Sequence, residues 1–557
     1  MRKRRSPIGE DLTSTTTATS TTATATATHT QTQHRRRNSY QNRRTKPLTN
    51  ATRRRTTPSL PAAARHSLSQ SLPMLEKEDH LGWQEPLSVW NQSAPRVYIC
   101  VVLCFPCDSS RRQDAIHHIE SALKRLARER PVFAGRLQAS SNSGSVSLHR
   151  SPLQDIPFEV LPASETSQQH YEQMRDDGFP PGTFVHPRFG VPGAMNSGLE
   201  PIPVSKVQAE FPPGGLLLSI FLHHGLVDGG SLRVFLECFG AQTRNDPVNL
   251  PSEQAFPMSH SRGRSNGGPI YEHDATTFKG LLARCPEYTL LRDLSGPTQP
   301  RLLKTGLAMS NIEKIGRIFV FSKERLQELR ELIQARNGMA EPPSAYTSLA
   351  ALAFAHIIKA RVTAAEAGNE KKSLSEVSPR RNAMLWNSVN WRTRAFQGAT
   401  DNYFGNAALP AVTKASMTQL LAACDDDCEL ARLVPLIKAS IDAVDQEYVS
   451  RRFAMLSEVP DPRLIGVNYD PRVPETLAFN TWRHFGADVE WSIPGVPATR
   501  ADAIRRAHGS WGLGTALILP AKVDSLKQEL FVSLSVDSMR LLCADEGWTR
   551  WVDRIIG

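Results

Sequence analysis

Residues Leu216–Leu222 form an apolar run broken only by Ser219, and the run ends on His223-His224-Gly225-Leu226-Val227-Asp228-Gly229. A short apolar run closed by a turn signal reads as a strand. Ser231 is placed to cap a helix through Leu232-Arg233-Val234-Phe235-Leu236, so the segment predicts strand, turn, helix. That order delivers an imidazole to a loop mouth. Histidine has an ordinary pKa that lets it accept a proton near neutral pH, so a positioned one can activate a hydroxyl or an amine. Asp228, four residues after His224 in a tight turn, is expected to point away from that imidazole, and Gly229 permits a backbone conformation that other residues resist. On these residues alone, a buried histidine pair packed at a strand end is the simpler reading.

Strands and helices alternate on either side of this segment. Tyr98–Leu103 reads as a strand, and a helix from about Asp114 to Arg130 puts Ile116, Ile119, Leu123 and Leu126 on one face. Pro131–Leu137 punctuates the chain before a strand at Ser145–His149. From about Gln242 to Asn311 the sequence turns rich in Pro, Gly, Ser and charge, most densely at Ser259–Gly268, which suggests a crossover between two halves. The second half opens on the strand Arg317–Ser322, the helix Lys323–Ala335 and an apolar core helix, Ser344–His356, with Ser344 at its cap. Leu385–Asn390 reads as another strand, followed by Arg392, Arg394 and Asp401–Ala407. Similar strand and helix content in the two halves suits two α/β units with a cleft between them. The expected divisions are a tail at 1–72, a first domain at 73–241, a connection at 242–311 and a second domain at 312–557.

Charge separates the tail from the rest. Residues 1–72 carry 14 Lys or Arg against Glu10 and Asp11, a net charge of +12, while the whole 557-residue chain carries +11, so residues 73–557 are close to neutral at −1. The basic balance therefore gives no reason to expect nucleic acid on the folded part. Thr-Ala repeats from Thr13 to Thr32 and arginine clusters at Arg35–Arg37, Arg43-Arg44 and Arg53–Arg55 hold almost no large apolar residues, which predicts disorder. Such a tail could be a targeting segment, a basic nuclear-type signal, a tether to an anionic surface or a solvated extension. No signal-peptide core follows Met1–Arg5 and no run long enough to span a membrane is apparent, so the expectation is a soluble, cytoplasmic monomer.

Eight cysteines in a chain of this length do not make a disulfide framework. Cys104 and Cys107 form an isolated CxxC, and Cys424 and Cys428 would share one helix face. Neither pair has partners at zinc spacing, so free thiols and no metal are expected. No P-loop or dinucleotide fingerprint is present.

Taken in order, Gly214-Gly215-Leu216, His224–Gly229, the Ser344–His356 helix, Asn390-Trp391-Arg392-Thr393-Arg394 and Tyr403-Phe404-Gly405-Asn406-Ala407 resemble the motifs of BAHD acyl-CoA-dependent acyltransferases. Pro86–Trp90 and Pro95–Tyr98 are similar to the start of fungal members of the trichothecene 3-O-acetyltransferase kind. The resemblance runs from about residue 84 to the C-terminus. It implies an α/β fold of two chloramphenicol-acetyltransferase-like domains with a tunnel between them. It also implies acyl transfer from acyl-CoA, a co-substrate rather than a permanently bound cofactor, to a hydroxyl or amine of a small-molecule acceptor. In that scheme His224 is the general base, and Asp228 is structural, paired with Arg392 to hold the loop together with Gly229. His223 packs. Thr481 and Trp482 are candidate oxyanion donors, with Asn480 a weaker one. The family's DFGWG element is reduced to Asp488-Val489-Glu490-Trp491-Ser492, which keeps the Asp and the Trp and neither Gly. Two alternatives stay open: an amide-forming enzyme like a condensation domain, and a non-catalytic relative that binds a ligand in the cleft.

Overall fold

The structure, a computed structural model, describes residues 83–151, 153–162, 169–193, 200–247, 278–291, 308–367, 382–395, 403–459 and 461–557. The readings of the 1–72 tail, of most of the 242–311 connection and of Asp401 and Asn402 lie outside the described residues.

The apolar run becomes the middle of a five-stranded sheet. Its strand order is Ala503–Ala507, Tyr98–Pro106, Gly215–His223, Ser205–Glu210, Phe158–Val160. Side chains alternate along a strand, so Leu216, Leu218, Ile220 and Leu222 face the helices Arg112–Glu129 and Gly229–Arg244, packing on Leu123, Leu126, Phe235 and Phe239. Leu217 and Phe221 face the other way, onto Tyr171, Phe179 and Phe184. Burial on both faces explains why the run is nearly all apolar, and each such side chain contributes about 1.5–3 kcal/mol relative to exposure. Continuing the alternation, His223 leaves the strand on the Phe221 face and His224 on the helix face. A small sheet of Trp83–Pro86, Val146–Arg150, Arg136–Ala139 and Ile202–Pro203 flanks this core. The punctuation at Pro131 proves to be a short helix, Pro131–Ala134.

The second half builds a seven-stranded sheet in the order Ala408–Ser416, Asn382–Asn390, Thr476–Thr481, Thr515–Ile518, Lys527–Ser535, Lys314–Ser322, Arg554–Ile556. The apolar helix is longer than the sequence suggested, Ala345–Ala367, and Ser344 caps it, its Oγ accepting the Thr347 N–H at 3.1 Å. By length and composition this helix could cross a membrane, against the expectation that no segment could, yet 78% of its apolar window is buried inside the protein. It is a core helix, with Leu349, Leu352, Phe354 and Ile357 packed against Phe319, Phe479 and Leu530.

Residues 73–241 and 312–557 do not pack independently. Ala487, Val489, Trp491, Ile493 and Ile504 join the first core, and Ala503–Ala507 pairs antiparallel with Tyr98–Pro106. At the far end of the connection, Tyr288–Leu290 pairs with Ile465–Val467, and Glu287 forms a buried ion pair with Arg452 at 2.6 Å. All eight cysteines are free. Cys424 and Cys428 do not share a helix, because the chain breaks at Asp426 between Met417–Asp425 and Asp427–Asp442.

Candidate active site

His223 uses both ring nitrogens in the fold. Its Nε2 donates to the Gly193 carbonyl at 2.8 Å, and its Nδ1 accepts the Gly225 N–H at 3.0 Å, an arrangement that requires the neutral Nε2–H tautomer. The ring meets Tyr98 edge to face at 5.1 Å. Burial, with His224 and Arg96, lowers its pKa to about 4 against the pull of the Gly193 carbonyl. His223 is thus a packed, neutral residue.

His224 turns to the other face and stays partly exposed. Its backbone is pinned, the N–H donating to Val97 O at 2.8 Å. Its Nδ1 is buried with no hydrogen-bond partner. Burial pushes its pKa below the ordinary imidazole value and Arg506 adds to that, against its own carbonyl, Asp228 and Asn406, which favour protonation. The net direction leaves the ring neutral at neutral pH, with a lone pair available.

Asp228 points away from His224 and into a closed network. Oδ1 accepts from Arg392 Nη2 at 2.8 Å and from the Ser231 N–H at 2.9 Å; Oδ2 accepts from Arg392 Nη1 and the Ala407 N–H, both at 2.8 Å. Arg392, 1% exposed, also donates to the carbonyls of Tyr403 and Gly405. Burial alone would push the Asp228 carboxyl up, but Arg392 and the two N–H groups hold it below the ordinary carboxylate range. The helix cap is therefore Asp228, not Ser231. Ser231 instead bridges to Gly405, its Oγ donating to the Gly405 carbonyl and accepting the Gly405 N–H, both at 2.8 Å.

The two glycines after Asp228 are there for space. A Cβ on Gly230 would stand 2.7 Å from Arg392 Nη1, and one on Gly229 would stand 2.1 Å from Phe485 Cε2. Gly229→Ala is expected to lose about 1–3 kcal/mol of stability from this overpacking, measurable as an earlier midpoint in urea unfolding. A midpoint equal to wild type would show that Phe485 yields without cost.

A second tie escaped the sequence reading. Asn406 Nδ2 donates to the His224 carbonyl at 2.9 Å and to Asn91 Oδ1 at 2.9 Å, and Asn91 Oδ1 also accepts the Asn406 N–H. Both amides are buried, so an unmade bond here would be costly. Asn406 lies within the Tyr403–Ala407 motif, which was the available signal; Asn91 carried none.

The oxyanion candidates end the strand Thr476–Thr481. Thr481 Oγ1 accepts the Arg483 N–H at 3.2 Å, which leaves its O–H free to donate. Asn480 Oδ1 accepts the Ser388 N–H at 3.0 Å, tying that side chain to the neighbouring strand. Trp482 is partly buried against the first core and against a small cluster of Ile318, Val320, Leu517 and Phe531 on the seven-stranded sheet, with the Arg506 guanidinium 5.5 Å above its ring. Arg506 was not singled out from the sequence, and burial lowers its pKa to about 10. In the reduced DFGWG element, Asp488 accepts the Val523 N–H and Trp491 packs on Phe105 and Phe239. A cavity of about 360 Å³ opens where the two halves meet, lined by Phe179, Asp502, Arg505, Lys522 and Glu529 but not by His224. Among the described residues no cluster of His, Cys, Asp or Glu could hold a metal ion.

The chain matches a trichothecene 3-O-acetyltransferase-like N-terminal domain over residues 97–239 and the Transferase family over residues 193–546. Similar proteins include acyltransferase easC of Emericella nidulans, 22% identical over 84% of this chain and 94% of its own. Another is trichothecene 8-O-acetyltransferase of Fusarium sporotrichioides, 21% identical over 79% and 92%. Among solved structures, F. graminearum TRI101 complexed with ethyl coenzyme A superposes with a TM-score of 0.66 at 18% identity, covering 86% of this chain and 100% of that one. Vinorine synthase follows with a TM-score of 0.52 at 15% identity, covering 87% and 96%. The structural likenesses show a shared two-domain fold, and the family match spans more than half the chain and reaches into both cores. This protein belongs to the Transferase family, the BAHD acyl-CoA-dependent acyltransferases, and its residues 97–239 match a trichothecene 3-O-acetyltransferase-like N-terminal domain.

Proposed function

We propose that this protein transfers an acyl group from acyl-CoA to a hydroxyl or amine of a small molecule, with His224 as general base, in fungal secondary metabolism. The observation that carries this is a neutral, partly exposed imidazole on a loop fixed from the second half by Arg392 and by Asn406. Acyl-transferring relatives and coenzyme A complexes of the same fold support it. His224 takes the proton from the acceptor O–H or N–H as that atom attacks the thioester carbonyl, and the carbonyl π electrons move onto oxygen. The tetrahedral intermediate then collapses, the C–S bond breaks, and the proton passes from His224 to the departing thiolate, giving free CoA and the ester or amide. The Thr481 hydroxyl and the Trp482 indole N–H are the donors we assign to the oxyanion, each such donor worth about 3–4 kcal/mol in the transition state. Asn480 is the weaker candidate, because the bond from the Ser388 N–H to its Oδ1 ties the side chain to the neighbouring strand. Acyl-CoA serves as co-substrate, and one chain supplies every named group, so we expect a monomer to suffice; a cytoplasmic location is part of the proposal.

The test is incubation with a panel of acyl-CoAs and small alcohol and amine acceptors, with mass spectrometry of the products. An acceptor gaining one acyl mass per CoA released is the expected result. CoA release that never depends on an acceptor would rule out the reading. The pH dependence is fixed as well: only neutral His224 can act, and its pKa lies below the ordinary 6.5. The kcat/KM profile should therefore be flat above that value and fall on the acid side below it. An acid limb centred above pH 7 would contradict the assignment.

A further inference from the structure

Most buried charges among the described residues are paired, among them Arg392 with Asp228, Arg505 with Glu529, Arg452 with Glu287, and Glu210 with Arg188. Arg506, which is half-buried, is not. Among the described residues its guanidinium meets the face of Trp482 and no carboxylate or carbonyl. Arg506 is only half-buried, so space beside it is open to solvent. The strand register locates that space. Arg506 is paired with Val101 and Val101 with Ile220, and directly opposed residues of an antiparallel ladder share a face. Arg506 therefore lies on the same side of the sheet as Ile220, Leu222 and His224. Its neighbour Arg505 turns to the opposite side, where Glu529 and the carbonyls of Gly178 and Phe179 engage it.

We propose that Arg506 is an anion-recognising residue of the reaction channel, selecting substrates that carry a carboxylate on the acyl chain or on the acceptor. A guanidinium presents a planar fork of donors that fits a carboxylate in two parallel bonds. The Trp482 ring lies 5.5 Å from the guanidinium carbon, a cation–π contact that consumes none of the N–H donors. A partly desolvated cation without a counter-ion costs stability, which is tolerated where a ligand supplies the missing charge. The proposal rests on the acyl-transfer reading for the identity of the ligands, but its test is a binding measurement that does not require turnover.

Isothermal titration calorimetry is run on wild type, Arg506→Gln and Arg506→Lys in two arms. The acyl arm compares succinyl-CoA with butyryl-CoA, which differ by a terminal carboxylate in place of a methyl group. The acceptor arm compares 6-hydroxyhexanoate with its methyl ester. In one arm the charged member should bind wild type about ten- to hundredfold more tightly than its neutral twin, the range of a charge-assisted hydrogen bond. Arg506→Gln should erase that preference while changing the neutral twin's affinity less than about threefold, and Arg506→Lys should keep part of it. The arm in which the preference appears identifies the source of the carboxylate. The melting temperature of Arg506→Gln should be equal to or above wild type, because an unpaired charge has been removed. A lower melting temperature would mark a structural role, and no Arg506-dependent preference in either arm would overturn the proposal. His224→Ala should retain the binding preference, so a failure of acyl transfer leaves this result readable on its own.

Discussion

Arg392→Met is expected to lose about 3–5 kcal/mol of stability, because it leaves Asp228 as an uncompensated charge in the interior. Asp228 is 3% exposed, and two of its four hydrogen bonds come from Arg392. The same guanidinium binds the Gly405 carbonyl at 2.6 Å, so its loss frees the Tyr403–Ala407 segment that reaches the His224 carbonyl. Activity should fall with stability. The double variant Asp228→Asn/Arg392→Met removes the stranded charge and should recover part of the loss. Chemical unfolding of wild type, both single variants and the double variant gives the coupling energy directly. Additive losses would mean that the pair is not a pair in solution.

His224→Ala should behave in the opposite way. The ring is partly exposed and makes no side-chain hydrogen bond through Nδ1, so its removal should change stability by no more than about 1 kcal/mol. General-base catalysis contributes about 10²–10⁴-fold, and the rate should fall by that factor. Asp228 cannot substitute, since both its oxygens are occupied by Arg392 and backbone N–H groups. His223 cannot either, with Nε2 on Gly193 and Nδ1 on Gly225. The contrast of a stable, silent His224 variant with an unstable Arg392 variant separates chemistry from scaffold.

Local features of the site were legible in the sequence. The Leu216–Leu222 run reads as a buried strand, and alternation past its end puts His223 and His224 on opposite faces. The cap was misread at Ser231 because both it and Asp228 can cap a helix, and only the position of Gly405 shows which one is free to do so. What escaped depended on chain segments far apart in sequence. The pairing of Ala503–Ala507 with Tyr98–Pro106 leaves no local trace, since an edge strand reading Ala-Ile-Arg-Arg-Ala resembles an exposed one. Arg506 therefore carries no local signal that sets it apart from any other arginine. Asn91 and Asn406 are small neutral amides whose importance comes from the carbonyl and amide they satisfy across the seam. The reduced Asp488–Ser492 element keeps the Asp, which accepts the Val523 N–H, and the Trp, which packs in the first core.

The most direct test of the account is acceptor-dependent release of CoA thiol from an acyl-CoA, followed side by side for wild type and for a His224→Ala protein shown to be folded. Wild type should release one thiol per acylated acceptor, and the His224→Ala rate should be lower by about 10²-fold or more. Equal rates from the two proteins would contradict it.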